Sequence, residues 1–385
     1  MNLKKGTIST KDLMFAIICF IQGTVLRSGY IVGITLQDSW AMAITGFLST
    51  LPLVFIYNAL LRKYPGKDLI DIDAIVFGPI MGKIISILYL FFFVSLAALN
   101  TRDLGNFVAD FMTPQTPIAA IIFIFLLGCV YTIYKGIENL LHLSTALIIL
   151  SVGAIIINFI LVLKDVHPSF LKPFFQLEPM KYVQGTVSVT AVPFGEILVF
   201  TMLTPLLEKD TKTAKPMLLG LLFSAVTMGI VILRDIITLG PLASIVSLPS
   251  FESVRYVSLS SILTRMESIY GVVLIILFLF KVSILLYVFA VGLTKILSRN
   301  TPELKGQDSN AEYFRSQKSH PPLLLISAVL VYFYSLFVFE SVMENIYWGA
   351  TAAPFFSLTF EFLLPFATLL ISLLRGIRRP QEVKL

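Results

Sequence analysis

The sequence predicts an all-α integral membrane protein with ten transmembrane helices. Three observations predict it. First, the 385 residues are 57% hydrophobic and only 14% charged, whereas soluble globular proteins are about 25% charged. Second, the apolar residues come in blocks of roughly 20, long enough to cross a hydrocarbon core of about 30 Å. Third, Lys and Arg alternate between the connecting loops in a way that assigns them to two sides. Helices rather than barrel strands follow, because barrel strands would be about 10 residues long with alternating polarity, and a lipid-exposed backbone must satisfy its own hydrogen bonds.

Ten spans are read in order: Asp12–Thr35, Trp40–Leu61, Ile84–Phe107, Ile118–Tyr134, Leu141–Leu163, Val183–Leu207, Pro216–Leu239, Ile269–Ile296, Pro322–Glu340 and Pro354–Leu374. Twenty of the 29 Lys and Arg fall in the two tails and the even-to-odd connections, such as Arg62, Lys63, Lys67 and Lys83. The opposite loops hold five: Lys164, Lys172, Lys181, Arg255 and Arg265. Cytoplasmic loops carry the positive excess, so both termini are expected in the cytoplasm, which requires an even number of spans. The net charge of +6 thus reads as topology, and no nucleic-acid partner is expected. The first span is too long, and lacks the small-residue cleavage site, for a signal peptide. Cys19 and Cys129 lie inside spans as small apolar fillers, so no disulfide framework is expected.

Ten spans divide into five and five. The expected organisation is a tail 1–11, a first five-helix repeat 12–163, an outer loop 164–182, a second repeat 183–375 and a tail 376–385. The outer loop Gly240–Ser268 carries amphipathic stretches suited to short helices on the membrane surface. Spans one and six occupy matching positions, and both are interrupted. Span one contains "QGTVLRSGYIVG", Gln22 to Gly33; span six contains Pro193-Phe194-Gly195-Glu196 near its middle. Interrupted segments at corresponding positions of two halves point to a transporter-type site at the midplane. Gly29 and Gly33 taken alone fit a close helix contact equally well.

Four charges fall near span centres: Arg27, Glu196, Lys281 and Glu361. A charge there costs at least about 2.5–3.5 kcal/mol on insertion scales and should be paired or face water. Glu196 reads either as a ligand or proton contact beside a broken helix, or as a structural partner of Lys281 or Arg27. Arg102, Asp103, Arg234 and Asp235 sit towards span ends, where snorkelling or interfacial pairing explains them. No enzyme, metal or cofactor is expected. "GPIMGK", Gly78 to Lys83, lacks the P-loop spacing, His142, His167 and His320 are scattered, and no Ser/His/Asp arrangement is visible.

"VPFGEILVFTMLTPLLEK" on span six resembles the matching helix of the B subunits of the nutrient germinant receptors of spore-forming bacteria. "LRDIITLGPLASIVSLPSFESVRYVSLSSILTRMESI", Leu233 to Ile269, is the most specific part. "FLFKVSILLY" and "TKDLMFAII" add to it. The resemblance implies membership of the amino acid–polyamine–organocation superfamily, with a five-plus-five inverted repeat and spans one and six unwound around a small-molecule site. The site implied is Thr24, Val25, Leu26, Arg27 and Ser28 in the first break, Gly195, Glu196 and Val199 on span six, and Lys281 on span eight. Bulky Leu26 and charged Arg27 depart from the small residues usual in that break. The implied partners are a nutrient germinant, an A-type membrane subunit and a C-type lipoprotein subunit, in the spore inner membrane. A proton-coupled amino acid permease acting alone is the other reading the fold permits, and a purely structural membrane partner a third.

Overall fold

The computed structural model describes residues 8–25, 29–164, 166–208, 211–256, 266–298 and 321–376. Those residues are almost entirely helical. In order the helices are α1 Thr10–Val25, α2 Gly29–Thr35, α3 Ser39–Lys63, α4 Leu69–Phe77, α5 Pro79–Phe107, α6 Ile118–Tyr134, α7 Ile137–Val162 and α8 Pro179–Val189. There follow α9 Ala214–Leu239, α10 Pro249–Tyr256, α11 Met266–Ser298, α12 Pro321–Phe337, α13 Val342–Thr351, α14 Ala353–Leu358 and α15 Leu364–Leu374. Between α8 and α9, Thr190–Phe194 is a wide helical turn and Gly195–Leu206 a tightly wound one.

Among the described residues, seven helical stretches are long and apolar enough to cross a membrane. An eighth is added if α12 and α13, bent by 99°, count as one. Burial sorts these stretches into inner and outer ones. The windows in Pro179–Leu206 and Ser268–Leu297 are 83% and 78% buried by protein, against 28% in Ile137–Val162. The span that breaks at Val192 and the span carrying Lys281 therefore form the middle of the bundle, and α7 faces lipid. The centre is closed by α1 against α7, α9 and α11, by α3 against α8 and α9, and by α5 against α11.

Local chemistry sets the helix ends. Ser9 and Asp12 cap the start of α1 reciprocally: the Ser9 N–H donates to Asp12 Oδ2 at 3.0 Å, and the Asp12 N–H to Ser9 Oγ at 3.3 Å. Asp68 caps α4 by accepting from the Asp71 N–H at 3.0 Å. Lys295 at the end of α11 reaches the same cap, with its Nζ 2.5 Å from Asp68 Oδ2 and 2.6 Å from Asp71 Oδ2. Burial pushes the Asp68 carboxyl up to about 6, against the pull of the Lys295 ammonium. α4 is thereby pinned beneath the bundle.

Two expectations change. Arg234 and Asp235 do not snorkel: they are 1% and 0% exposed and paired at 2.6 Å. Asp235 also accepts from Ser250 and Ser253 of α10. This holds α10 inside the protein, with Phe251 and Val254 buried, rather than flat on a membrane surface. A charge paired with an opposite charge tolerates burial that a lone one does not. Arg102 likewise turns inward. Its Nη1 donates to the Ser335 and Leu336 carbonyls at 3.3 and 3.0 Å, satisfying the C-terminal turn of α12.

Candidate functional site

The break in span six starts at Val192, whose backbone (φ −128°, ψ 111°) leaves the helix. Pro193 follows as the first residue of the second half, where its missing N–H has no partner to lose. Tyr30 of α2 covers the break, its hydroxyl donating to the Val192 carbonyl at 2.6 Å. Gly195 itself is helical (φ −68°, ψ −27°). Its service is room rather than dihedral freedom, because a Cβ there would strike the Glu361 carboxylate and stand 3.0 Å from the Thr190 carbonyl. The sequence places the opening at Pro193 and Gly195 together; the structure moves it to the residue before the proline.

Glu196 lies in the first turn after the break, where the positive end of the helix favours a carboxylate. It is 2% exposed, and Lys281 of α11 is fully buried. Lys281 Nζ stands 2.5 Å from Glu196 Oε2. The same ammonium donates to Thr24 Oγ1, in the last turn of α1, and lies 4.8 Å from the centre of the Phe20 ring. One cation thus joins spans one, six and eight at the break.

A cavity of about 100 Å³ opens beside this pair. Thr24 and Tyr30 line it from span one, and Val192 and Glu196 from the break. Leu96, Leu99, Asn100 and Asp103 line it from one face of α5, and Phe278 from α11. The far wall is α13 and α14, with Asn345, Trp348 and Ser357. Asn345 Nδ2 donates to Asp103 Oδ1 at 2.6 Å, tying that wall to α5. No cluster of His, Cys, Asp or Glu able to hold a metal ion occurs among the described residues.

Of the residues singled out by sequence, Thr24, Gly195, Glu196 and Lys281 meet at the break, with Thr24 and Glu196 lining the cavity. Val199 is buried one turn further on and does not line the cavity. Leu26, Arg27 and Ser28 lie outside the described residues, as does the side chain of Val25. Two contributions went unread. Asp103 was assigned to an interface, yet Leu96, Leu99, Asn100 and Asp103 follow a three-to-four spacing that marks one helix face. α13 falls between the ninth and tenth spans of the sequence reading, and Ser341-x-x-Glu344 marks its start: the Glu344 N–H donates to Ser341 Oγ at 3.1 Å, and the Glu344 carboxylate accepts from the Glu340 N–H at 2.7 Å.

A helix broken at Val192 beside a buried charge pair and a small cavity fits a membrane protein of the transporter fold. The chain covers 95% of its length, and 78% of the other, when superposed on a nucleobase-cation-symport-1 family transporter in a closed conformation with bromovinylhydantoin bound (TM-score 0.67, 12% identity). A Na+-coupled sialic acid symporter matches 93% of the chain and 80% of its own (TM-score 0.59, 11% identity). Residues 7–341 match the spore germination protein family, and the chain belongs to that family. It is 26% identical to spore germination protein KB of Bacillus subtilis (strain 168), across 99% of this chain and 98% of that one. Spore germination protein A2 of the same organism is 26% identical over 69% of this chain and 73% of its own.

Proposed function

We propose that this chain is the transporter-like B-type subunit of a spore nutrient germinant receptor, binding a small nutrient beside Glu196 and triggering germination. The observation that carries the reading is the cavity at the break, since a helix opened at membrane depth needs a wet cavity or a polar ligand to face. Pockets for drug-sized ligands run to about 300–1,000 Å³; a cavity of about 100 Å³ restricts the ligand to something small. Thr24, Asn100, Asp103, Glu196 and Ser357 line it with hydroxyls, an amide and two carboxylates. Such a lining suits a ligand carrying an ammonium or several hydroxyls, as amino acids and sugars do. The A-type membrane subunit and the C-type lipoprotein are partners on the strength of the resemblance in spans six to eight. The permease reading draws on the fold shared with symporters.

One experiment separates these readings. The purified chain is titrated with single L-amino acids and hexoses while its melting temperature is followed, and uptake of the labelled compound is measured in vesicles. The receptor reading expects at least one compound to raise the melting temperature without accumulating, and Asp103→Asn to weaken that binding about tenfold, the loss of one charged hydrogen bond. Accumulation by the chain alone would establish the permease, and no thermal shift with any compound would remove nutrient binding from this subunit.

The ten-span, five-plus-five arrangement, with its repeats at 12–163 and 183–375, counts α6 and the α1–α2 pair as the remaining crossings. With both termini cytoplasmic, a cysteine at Ser309 should resist an impermeant reagent applied to intact cells, and one at Val246 should react. The reverse pattern would overturn the topology. Ser309 lies outside the described residues, and Val246 lies just ahead of α10.

A further inference from the structure

Every residue of Gly195–Leu206 is buried, and the cavity reaches no further along span six than Glu196. At the far end of that stretch lies the segment 63–77, the end of α3 together with α4. It ties down the ends of three spans. Thr204 of span six donates its hydroxyl to the Lys67 carbonyl at 3.1 Å. Towards α15, Lys63 Nζ donates to the Ser372 carbonyl at 2.7 Å, and the Tyr64 and Ser372 hydroxyls share a hydrogen bond of 2.6 Å. Thr368 Oγ1 donates to Asp73 Oδ1 at 3.1 Å, and Arg375 Nη1 to the Val76 carbonyl at 2.7 Å. Towards α11, Lys295 Nζ stands 2.5 Å from Asp68 Oδ2 and 2.6 Å from Asp71 Oδ2. Gly292 lets α11 close up there, since a Cβ would strike Leu90 and stand 2.6 Å from Ile70 Cδ1 of α4. The start of the chain covers the same end. The Ile8 N–H donates to the Leu206 carbonyl at 2.9 Å, and the Glu208 N–H to the Ile8 carbonyl at 3.2 Å.

These ties are of a kind that comes undone. A hydrogen bond from a side chain to a carbonyl at the end of a bundle exchanges for hydrogen bonds to water at small net cost. The ion cluster is not explained by stability, because Lys295 and Asp68 are both buried and apolar residues of similar volume often hold as well or better. Buried ionic groups are best attested where they set a register or a switch. The helix that carries Lys295 also carries Lys281, about 21 Å away along the same continuous helix. One element thus joins the charge pair at the break to the ion cluster at α4.

We propose that the segment 63–77 is a strap closing the end of the bundle below Glu196, with Lys295, Asp68 and Asp71 as its latch. With the latch made, the ends of span six, α11 and α15 are drawn onto α4, and the stretch beyond Glu196 is shut off from water. With the latch released, α4 parts from those ends and water reaches that stretch. The strap gives the cavity a floor, so that it is a pocket and not a passage. Release by a nutrient, acting through Lys281 and α11, rests on the function proposed above; the closure itself needs no ligand.

The test is thiol reactivity in the whole chain, purified in detergent with no nutrient present. Thr201→Cys places a thiol in the closed stretch, where Thr201 is 2% exposed. Its reaction with a trimethylammonium methanethiosulfonate should be far slower than that of Arg255→Cys, at an exposed position. Adding Lys295→Gln should speed it about tenfold or more, the loss of one charged hydrogen bond. Asp71→Asn should act in the same direction, and Lys215→Gln, an exposed lysine at the same end, should change nothing. Native Cys19 and Cys129 are buried and report unfolding, so they should stay unreactive throughout. If they react in Lys295→Gln, that variant has lost its fold and Asp71→Asn decides. An unchanged rate at position 201 in the folded latch variants would overturn the strap. So would a thiol at position 201 that reacts as fast as Arg255→Cys without any latch change. Nutrient binding survives either result, because no nutrient enters the measurement.

Discussion

Replacing Glu196 with glutamine is expected to leave the protein near normal abundance and to shift its nutrient dose–response by about 10- to 100-fold, or abolish it. The magnitude is that of one hydrogen bond to a charged group, about 1.5–3 kcal/mol. Glutamine has the shape of glutamate, and its Oε1 still accepts from Lys281. The ammonium also keeps Thr24 Oγ1 and the Phe20 ring. What disappears is the negative charge in the first turn after the break, where it is favoured by the helix end. A ligand ammonium or hydroxyl then meets a weaker acceptor, and the ion pair that spans helices six and eight no longer has two charges to rearrange. Germination of spores carrying the variant, measured against nutrient concentration with immunoblotting for the protein, checks the expectation. A normally abundant variant with an unaltered dose–response would end the signalling role of this carboxylate.

The parts of this site that were legible in sequence were those where a polar group interrupts an apolar run. Glu196, Lys281 and Glu361 stand out because burial of a charge in hydrocarbon demands a reason, and Pro193 marks a helix break by its missing N–H. The pairing partner was not legible. Glu196 had Lys281 and Arg27 as candidates, and only packing of α11 against the centre brings Lys281 Nζ to 2.5 Å. The break lies one residue ahead of the Pro193–Gly195 stretch read from sequence, because glycine signals both conformational freedom and space. Here Gly195 supplies space against Glu361, and Val192, pushed out of the helical region by the proline that follows it, carries the irregular backbone. Asp103 was hidden by its position, since a carboxylate near a span end fits an interface and a pocket equally well. Arg234 and Asp235 were hidden in the same way: adjacent opposite charges satisfy each other at any depth, so sequence order alone does not fix theirs.

Lys281→Met should have the opposite consequence from Glu196→Gln, because the two halves of the pair are not equivalent. Methionine fills the space of the lysine stem, but Glu196 then keeps a full charge at 2% exposure with no cation beside it. Removing one partner of a buried pair costs about 3–5 kcal/mol, mostly as the penalty of the charge left behind. Total stabilities are about 5–15 kcal/mol, so the single variant should be scarce in membranes, and its melting temperature should fall wherever enough can be purified. Combining Lys281→Met with Glu196→Gln removes the stranded charge and should restore abundance, since neutral replacements of similar volume are often tolerated in place of a buried pair. The double variant should nevertheless stay blind to nutrient if the carboxylate reads the ligand. Recovery of both abundance and response would assign the pair to structure alone. Loss of abundance in the double variant would mean that Lys281 supports the fold through Thr24 and Phe20 rather than through Glu196. The paired measurement therefore separates three roles for one ammonium: neutralising a carboxylate, tying α1 to the break through Thr24, and holding the break until a ligand arrives.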